Sequence, residues 1–494
     1  MSFINDIFNN LNKVIVYLFL VLWVLVIVYV TTRMGYVMGI AASLAPLMLL
    51  LFGALVQFPY WSFIFLFIAN YLVMGFTRYV NVISPGIAID VIIGLTFAVF
   101  FFNSYKNKSS IKLSNSFNTL TLLAFVWFVY CSLQVLNPNS SSIIAWLTGV
   151  RALGVYFIII VFFTAIVMVK FKDLKNLLFL WAILSLMAVL KAFIQKTFGF
   201  DSVELRWLFV EGGSKTHVLY YGIRYFSFFS DAGNFGSGIA FSGVVFGIIS
   251  FYFKDPRLKV FYFLVALACA YGMIISGTRG SLAVPFVAFT VFVLLSKDFK
   301  KILLISIILI LGFIFLNNTN YGQGNSYIRR MRSAFNPDDA SLRVRVENQK
   351  ILRTYLWNKP FGVGIAMSRE GATTYRPDPL VSKIPSDSWY VRVWMEVGIV
   401  GLILHVLILL YIIFHGAYLV LFKLKNNLLK GIISALVCGL SGVYVSAYSL
   451  ELIGQFPTSI IMFTCMAFIF LSPMYDKELK ETEMKNINSY EPIS

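Results

Sequence analysis

Arginine is the residue type whose placement here could do chemistry. Arg33, Arg78, Arg151 and Arg279 stand singly in short connections between apolar runs, while Arg206, Arg224, Arg343 and Arg345 stand in two long polar segments. A guanidinium stays charged at any working pH and presents a planar fork that grips a phosphate through two parallel bonds. Preorganised arginines in a water-poor cleft would stabilise negative charge on a departing phosphate without a divalent ion. Ser276-Gly277-Thr278-Arg279-Gly280-Ser281 sets one such arginine at the mouth of an apolar run. Arg345 sets a second at the start of a helical pattern that Pro360 ends, with the tight turn Phe361-Gly362-Val363-Gly364 after it. A third stretch runs Asp387-Ser388-Trp389-Tyr390-Val391 and then Trp394, Glu396, Gly398 and Gly401. The Asp387 carboxylate could accept a hydroxyl proton as a bond forms. It could equally cap the helix that starts near Val391, where Asp and Ser are preferred.

The elements that position these residues are membrane helices. The 494 residues are 59% hydrophobic and 13% charged, with a mean hydropathy of +0.82. Soluble domains carry roughly 25% charge, so a soluble enzyme, a disordered chain and a disulfide scaffold are excluded. The apolar runs are continuous, which excludes a transmembrane β-barrel with its alternating strands. An all-α polytopic membrane protein remains. With about 20 apolar residues per span, hydropathy predicts about fourteen helices, near 14–31, 36–57, 61–76, 86–103, 118–136, 150–169, 176–195, 234–253, 258–276, 279–296, 301–317, 391–414, 428–447 and 456–473. The first, after the polar stretch Met1 to Lys13, reads as an uncleaved signal anchor. Cys131, Cys269, Cys438 and Cys465 all lie inside apolar runs, as buried helix residues do.

Charge orients the bundle. Lysines cluster in every second loop: Lys106, Lys108 and Lys112; Lys170, Lys172 and Lys175; Lys254, Arg257 and Lys259; Lys297, Lys300 and Lys301; Lys423, Lys425 and Lys430. The positive-inside rule makes those loops, the N-terminus and the tail from Tyr475 cytoplasmic. The net charge of +18 is then topology signal and attraction to anionic membrane lipid, not a nucleic-acid footprint. The opposite face carries two long segments, from about Phe200 to Asp231 and from about Asn318 to Tyr390. The second is far longer than an ordinary connection and has helical patterning of its own, so a folded extracytoplasmic cap is expected. No carboxylate or histidine cluster there has metal-ligand spacing, and Asp338-Asp339 reads as a cap for the helix near Ser341.

The three stretches, in this order and spacing, resemble the O-antigen ligase and Wzy-type O-antigen polymerase superfamily. The shared elements are an S-R-G-like motif, an arginine about fifteen residues before P-x-G-x-G, and a final element ending in E-x-G. The resemblance covers residues 200–415, flanked by N-terminal helices over 1–199 and C-terminal helices with a cytoplasmic tail over 416–494. It implies a GT-C-like glycosyltransferase of the bacterial inner membrane, with its site at the periplasmic face. Such an enzyme acts in lipopolysaccharide or polysaccharide biosynthesis, inverts the anomeric centre and uses no metal or cofactor. The implied donor is a glycan on undecaprenyl pyrophosphate. The acceptor is a glycan, lipid A core or protein hydroxyl, and a chain-length regulator is an implied partner. By motif position Arg279 and Arg345 take the arginine roles. The sequence departs from the family at the third element, where Asp387 and Ser388 replace histidine and asparagine.

Other residues admit two readings. Arg224 contacts substrate or pairs with Asp231; Arg343 orients Arg345 or lies on the exposed helix face; Glu396 meets substrate or pairs an arginine. His217 is an alternative base, and His405 and His415 read as structural. Tyr390 and Trp389 stack on sugar or, like Trp394, belt the interface. Arg33 and Arg78 bind phosphate or snorkel to headgroups. Polymerase, ligase and protein O-oligosaccharide ligase share this pattern, the aspartate tilting towards polymerase. A lipid-linked oligosaccharide flippase is the alternative from another class. It would spread arginines along a cavity open to both faces, and a bare scaffold gives no reason for their asymmetry.

Overall fold

The structure is a computed structural model. It describes residues 17–18, 21–33, 35–80, 84–106, 113–140, 142–219, 222–335, 340–368, 373–375, 379–384 and 388–488. Apart from the short antiparallel hairpin β1 (Val218–Leu219) and β2 (Gly222–Ile223), the regular structure among these residues is helical. The helices are α1 (Val21–Arg33), α2 (Tyr36–Gln57), α3 (Pro59–Tyr79), α4 (Pro85–Lys106), α5 (Thr119–Leu133), α6 (Ile143–Val150), α7 (Tyr156–Val167), α8 (Phe171–Thr197), α9 (Ser202–Phe209), α10 (Ser214–His217), α11 (Ala232–Ser250), α12 (Pro256–Ile275), α13 (Ala283–Leu295) and α14 (Phe299–Asn318). There follow α15 (Ser326–Arg332), α16 (Ala340–Leu356), α17 (Pro379–Lys383), α18 (Trp389–Tyr418), α19 (Asn427–Ser446) and α20 (Thr458–Asn488).

Among the described residues eleven helices are long and apolar enough to cross a membrane, and Val21–Arg33 and Arg279–Leu295 are shorter apolar helices. The protein is an all-α polytopic membrane protein. Each apolar run read from the sequence falls on a helix wherever it is described. One boundary differs for a physical reason. Arg151 does not lie in a loop: a π turn over Arg151–Val155 joins α6 to α7 and makes one span over Ile143–Val167. Its charge is tolerated inside the run because Asp90 of α4 pairs with it and accepts a hydrogen bond from the Tyr156 hydroxyl at 2.6 Å.

The chain divides into two compact units, Met1–Ser62 with Gly94–Ser110, and Phe63–Ile93 with Ile111–Ser494. In the first, the Asn103 amide donates to the Val56 carbonyl at 2.7 Å, and the Phe52 and Phe102 rings meet edge to face. The second holds every motif of interest. Its centre is α11, α19 and α20, the most buried of the apolar helices, whereas α14 keeps only 6% of its apolar window inside. Its lysine-bearing ends are stitched together. Lys297 donates to the Leu421 carbonyl, Asp476 accepts from the Lys425 and Asn426 amides, Glu478 accepts from the Phe171 amide, and Lys301 sits over the Tyr252 ring. The arginine-bearing segments join each other elsewhere, through Thr278 to the Ala232 carbonyl at 2.8 Å and Ser446 to the Gly280 carbonyl at 2.9 Å.

This segregation predicts labelling. Gln323→Cys and Thr374→Cys should react with an impermeant maleimide in intact cells, and Lys477→Cys should react only after permeabilisation. Protection of both cap sites in folded protein would invert the topology.

Candidate active site

Arg279 and Arg345, distant in sequence, line the same cavity. Its volume is about 320 Å³, and Gly280, Leu282, Ala283, Phe286, Ser333, Ala334, Phe335 and Ser449 complete its wall. Arg279 Nη1 donates to Ser333 Oγ at 3.2 Å, and Arg345 Nη2 donates to the Ser449 carbonyl at 3.3 Å. The remaining wall is mostly apolar. Phe335 lies edge to face against Phe286 and Phe313, with centroids 6.0 Å and 5.6 Å away. Two guanidinium groups beside an apolar wall suit an anion with a hydrocarbon attachment. The sequence reading missed Ser333, Phe335 and Ser449, since serine and phenylalanine carry no signal in so apolar a chain.

The segment carrying Arg279 is held by its neighbours in the motif. Ser276 Oγ bonds the Met273 carbonyl at 2.6 Å and accepts from the Thr278 amide at 3.2 Å, closing the end of α12. Ser281 Oγ donates to the Thr278 carbonyl at 2.6 Å. Gly280 packs closely on the turn after α19: a Cβ there would lie 2.1 Å from Ser449 Oγ, so that hydroxyl would have to move. That close approach lets the turn after α19 reach both arginines. Arg224 braces the same segment: Nη2 donates to Thr278 Oγ1 at 2.8 Å and Nη1 to the Thr216 carbonyl at 3.0 Å. The pairing with Asp231 is not what holds it in place; Asp231 instead caps α11, accepting from the Gly233 and Asn234 amides.

The P-x-G-x-G motif has a structural task. Helix α18 breaks at Gly398, whose φ of 74° suits glycine, and the turn at 360–364 docks on the break. The Val363 and Gly364 amides donate to the Met395 and Glu396 carbonyls at 2.8 and 3.0 Å, and the Val400 amide donates to the Pro360 carbonyl at 3.3 Å. Tyr130 and Asn137 add donors to the Val397 and Phe361 carbonyls, both at 2.8 Å. Backbone groups freed inside a membrane span are thereby bonded.

Glu396, just before the break, is buried and pairs Arg392, with Nε to Oε1 at 3.1 Å. Of the two readings of Glu396 the arginine pair is realised, and Arg392 and its other partner Glu451 were missed in sequence. Tyr390 donates to the Tyr444 carbonyl at 2.8 Å. The Trp389 indole donates to His405 Nε2 at 2.9 Å, which makes both core residues. His415 stacks on Phe470. Arg343 lies exposed on α16, while Arg345 is half-buried. Asp387 and Asp338-Asp339 lie outside the described residues, and the N-cap of α18 is Ser388, which accepts from the Val391 amide.

Two sequence alternatives are corrected. Arg78 does not snorkel: it is 9% exposed, gives bonds to the Ser227, Phe229 and Ser230 carbonyls, and is sandwiched 4.5 Å from both the Trp207 and Phe226 rings. His217 is not placed to act as a base. Its Nε2 accepts from the Ala232 amide at 3.0 Å, and its Nδ1 lies 2.9 Å from the Gly213 carbonyl. Burial lowers its pKa to about 4, against the pull of Asp231.

These features define a polytopic membrane protein in which two arginines remote in sequence, Arg279 and Arg345, line one cavity with a mostly apolar wall. Residues 263–406 match the family model for O-antigen ligase, a stretch that includes Arg279, Arg345, the 360–364 turn and the Gly398 break. The match supports the O-antigen ligase and polymerase superfamily for this chain, and with it a glycosyltransferase-like enzyme acting in general on a lipid-linked glycan and an acceptor. No curated protein and no solved structure matches the chain.

His217 is neutral in the fold, so its share of stability is full above pH 6.5 and is lost as pH falls from 6.5 through 4, up to about 3 kcal/mol. The melting temperature of the wild type should drop more steeply over that interval than that of His217→Gln. Parallel profiles would remove the imidazole from the capping role.

Proposed function

We propose that this protein moves glycan from an undecaprenyl-pyrophosphate donor to an acceptor hydroxyl at the periplasmic face of the bacterial inner membrane, as a polymerase or ligase of GT-C-like architecture. The observation that carries this reading is that Arg279 and Arg345 line one cavity with an apolar wall. The guanidinium groups receive the pyrophosphate, and Phe286 and Phe335 accept the first part of the lipid. The acceptor oxygen attacks the anomeric carbon from the face opposite the pyrophosphate. The bond to the phosphate oxygen breaks, and its electron pair leaves with the lipid pyrophosphate, whose charge the two arginines stabilise. The hydroxyl proton passes to a carboxylate, and Asp387, next to the N-cap Ser388, is the residue we assign to accept it. Arg224 acts through Thr278, holding the Arg279 segment in place. Glu396 and Tyr390 of α18 act structurally, Glu396 through Arg392 and Tyr390 through the Tyr444 carbonyl. Arginine supplies the cationic charge, so the reaction proceeds in a chelator.

A flippase is less well supported, because the two motif arginines line one cavity together.

Arg279→Lys and Arg345→Lys should each lower transfer by roughly 10²–10³-fold, the scale for losing a preorganised donor to a developing charge. Near-normal transfer by both Lys variants would exclude a bidentate clamp. Asp387→Asn should lower transfer by roughly 10²–10⁴-fold with the fold intact, since the N-cap of α18 is Ser388 and Asn keeps the size of Asp. A wild-type rate in that variant would rule Asp387 out as the base, and Asp387→His tests whether the family's common residue restores transfer.

A further inference from the structure

Helix α18 carries Arg392 and Glu396 at i, i+4 spacing, and Arg392 also reaches Glu451 beyond α19. The distances are 3.1 Å from Nε to Glu396 Oε1 and 3.2 Å from Nη1 to Glu451 Oε2. The carboxylate side chains are 1% and 4% exposed and the guanidinium 20%. The Ser368 hydroxyl donates to the same Glu396 oxygen at 2.6 Å. Burying charges this deeply has a desolvation cost that an apolar trio of similar shape would avoid, so such a group is weak as a source of stability. What it does supply is a fixed geometry.

That geometry is the turn after α19. The Trp389 amide donates to the Ala447 and Leu450 carbonyls at 3.0 and 3.3 Å, the Ser449 carbonyl accepts from Arg345, and the Ser446 hydroxyl donates to the Gly280 carbonyl beside Arg279. Glu451 ends this turn, and neither it nor Arg392 lines the cavity. We propose that Arg392, Glu396 and Glu451 are positioning residues: their buried ionic contact locks the 446–451 turn against α18, and the turn in turn sets Arg345 relative to Arg279. The consequence for catalysis rests on Arg345 as a pyrophosphate ligand; the positional statement does not.

The test uses the full-length protein in lipid nanodiscs. Gln349 and Tyr448 touch across the α16–turn contact at 3.4 Å, and the native cysteines are buried. A Gln349→Cys, Tyr448→Cys pair is cross-linked with a short bis-maleimide, and binding of inorganic pyrophosphate is measured alongside on the protein without the pair. Glu451→Gln should slow cross-linking severalfold and weaken pyrophosphate binding by roughly tenfold, and it should weaken binding no further in an Arg345→Ala background. Unchanged cross-linking in folded Glu451→Gln, or losses that multiply in the double variant, would overturn the proposal. Slowed cross-linking in a protein that binds no pyrophosphate would leave the positioning in place and remove the clamp reading instead. Arg392→Lys, which keeps the charge but replaces the planar fork that meets Glu396 through Nε and Glu451 through Nη1 with a single point charge, gives the same readouts if Glu451→Gln does not fold.

Discussion

A helix interrupted inside an apolar run exposes backbone amides and carbonyls that lipid cannot satisfy. That constraint governs the second unit. The break in α18 at Gly398 requires a donor-bearing strip of chain against the Met395 and Glu396 carbonyls, and the 360–364 turn provides it. Because the turn directly follows α16, docking it also fixes the helix that carries Arg345. Leu352 and Leu356 of α16 pack with Val363, Met367 and Met395 in one buried cluster. Pro360, Gly362, Gly364 and Gly398 are thus part of the mechanism for holding an arginine, although they do not line the cavity themselves.

The opposite arginine is held by different means. Ser276, Thr278 and Ser281 convert the end of α12 into a compact hydroxyl-bonded turn, with Arg224 across it and Arg279 directed to the cavity. The turn after α19 then bridges both sides, touching Gly280 through Ser446 and Arg345 through Ser449. Small hydroxylated residues let these backbones approach closely, which suits helix packing where lipid gives no hydrophobic drive between helices.

Much of this was legible in the sequence, for reasons that differ by residue. Continuous apolar runs of span length mark helices without knowledge of packing, which is why each run falls on a helix where it is described, while the start of the span over Ile143–Val167, with Arg151 inside it, differs from the run read at 150–169. Arg279 stood out as an arginine at the mouth of an apolar run, and Arg345 by its spacing of about fifteen residues before Pro360-Phe361-Gly362-Val363-Gly364. Glu396 was read as a possible partner of an arginine, but Arg392 itself, at i, i+4 spacing from it, was not picked out. Contacts between remote segments left no such trace: Glu451 meets Arg392 only because α18 and α19 lie side by side, and Ser333 and Ser449 became cavity wall by the same route. Arg151 and Arg78 were misplaced because their partners, Asp90 and the 227–230 carbonyls, belong to other elements.

The central claim is that the pyrophosphate of a lipid donor lies between Arg279 and Arg345. An electron cryomicroscopy structure of the protein in nanodiscs with a prenyl pyrophosphate tests it directly. The account predicts paired phosphate density within bonding distance of both guanidinium groups, with the prenyl chain leaving past Phe286 and Phe335. Phosphate density bound at another site, with the arginine cavity holding only water or bulk lipid, would contradict it.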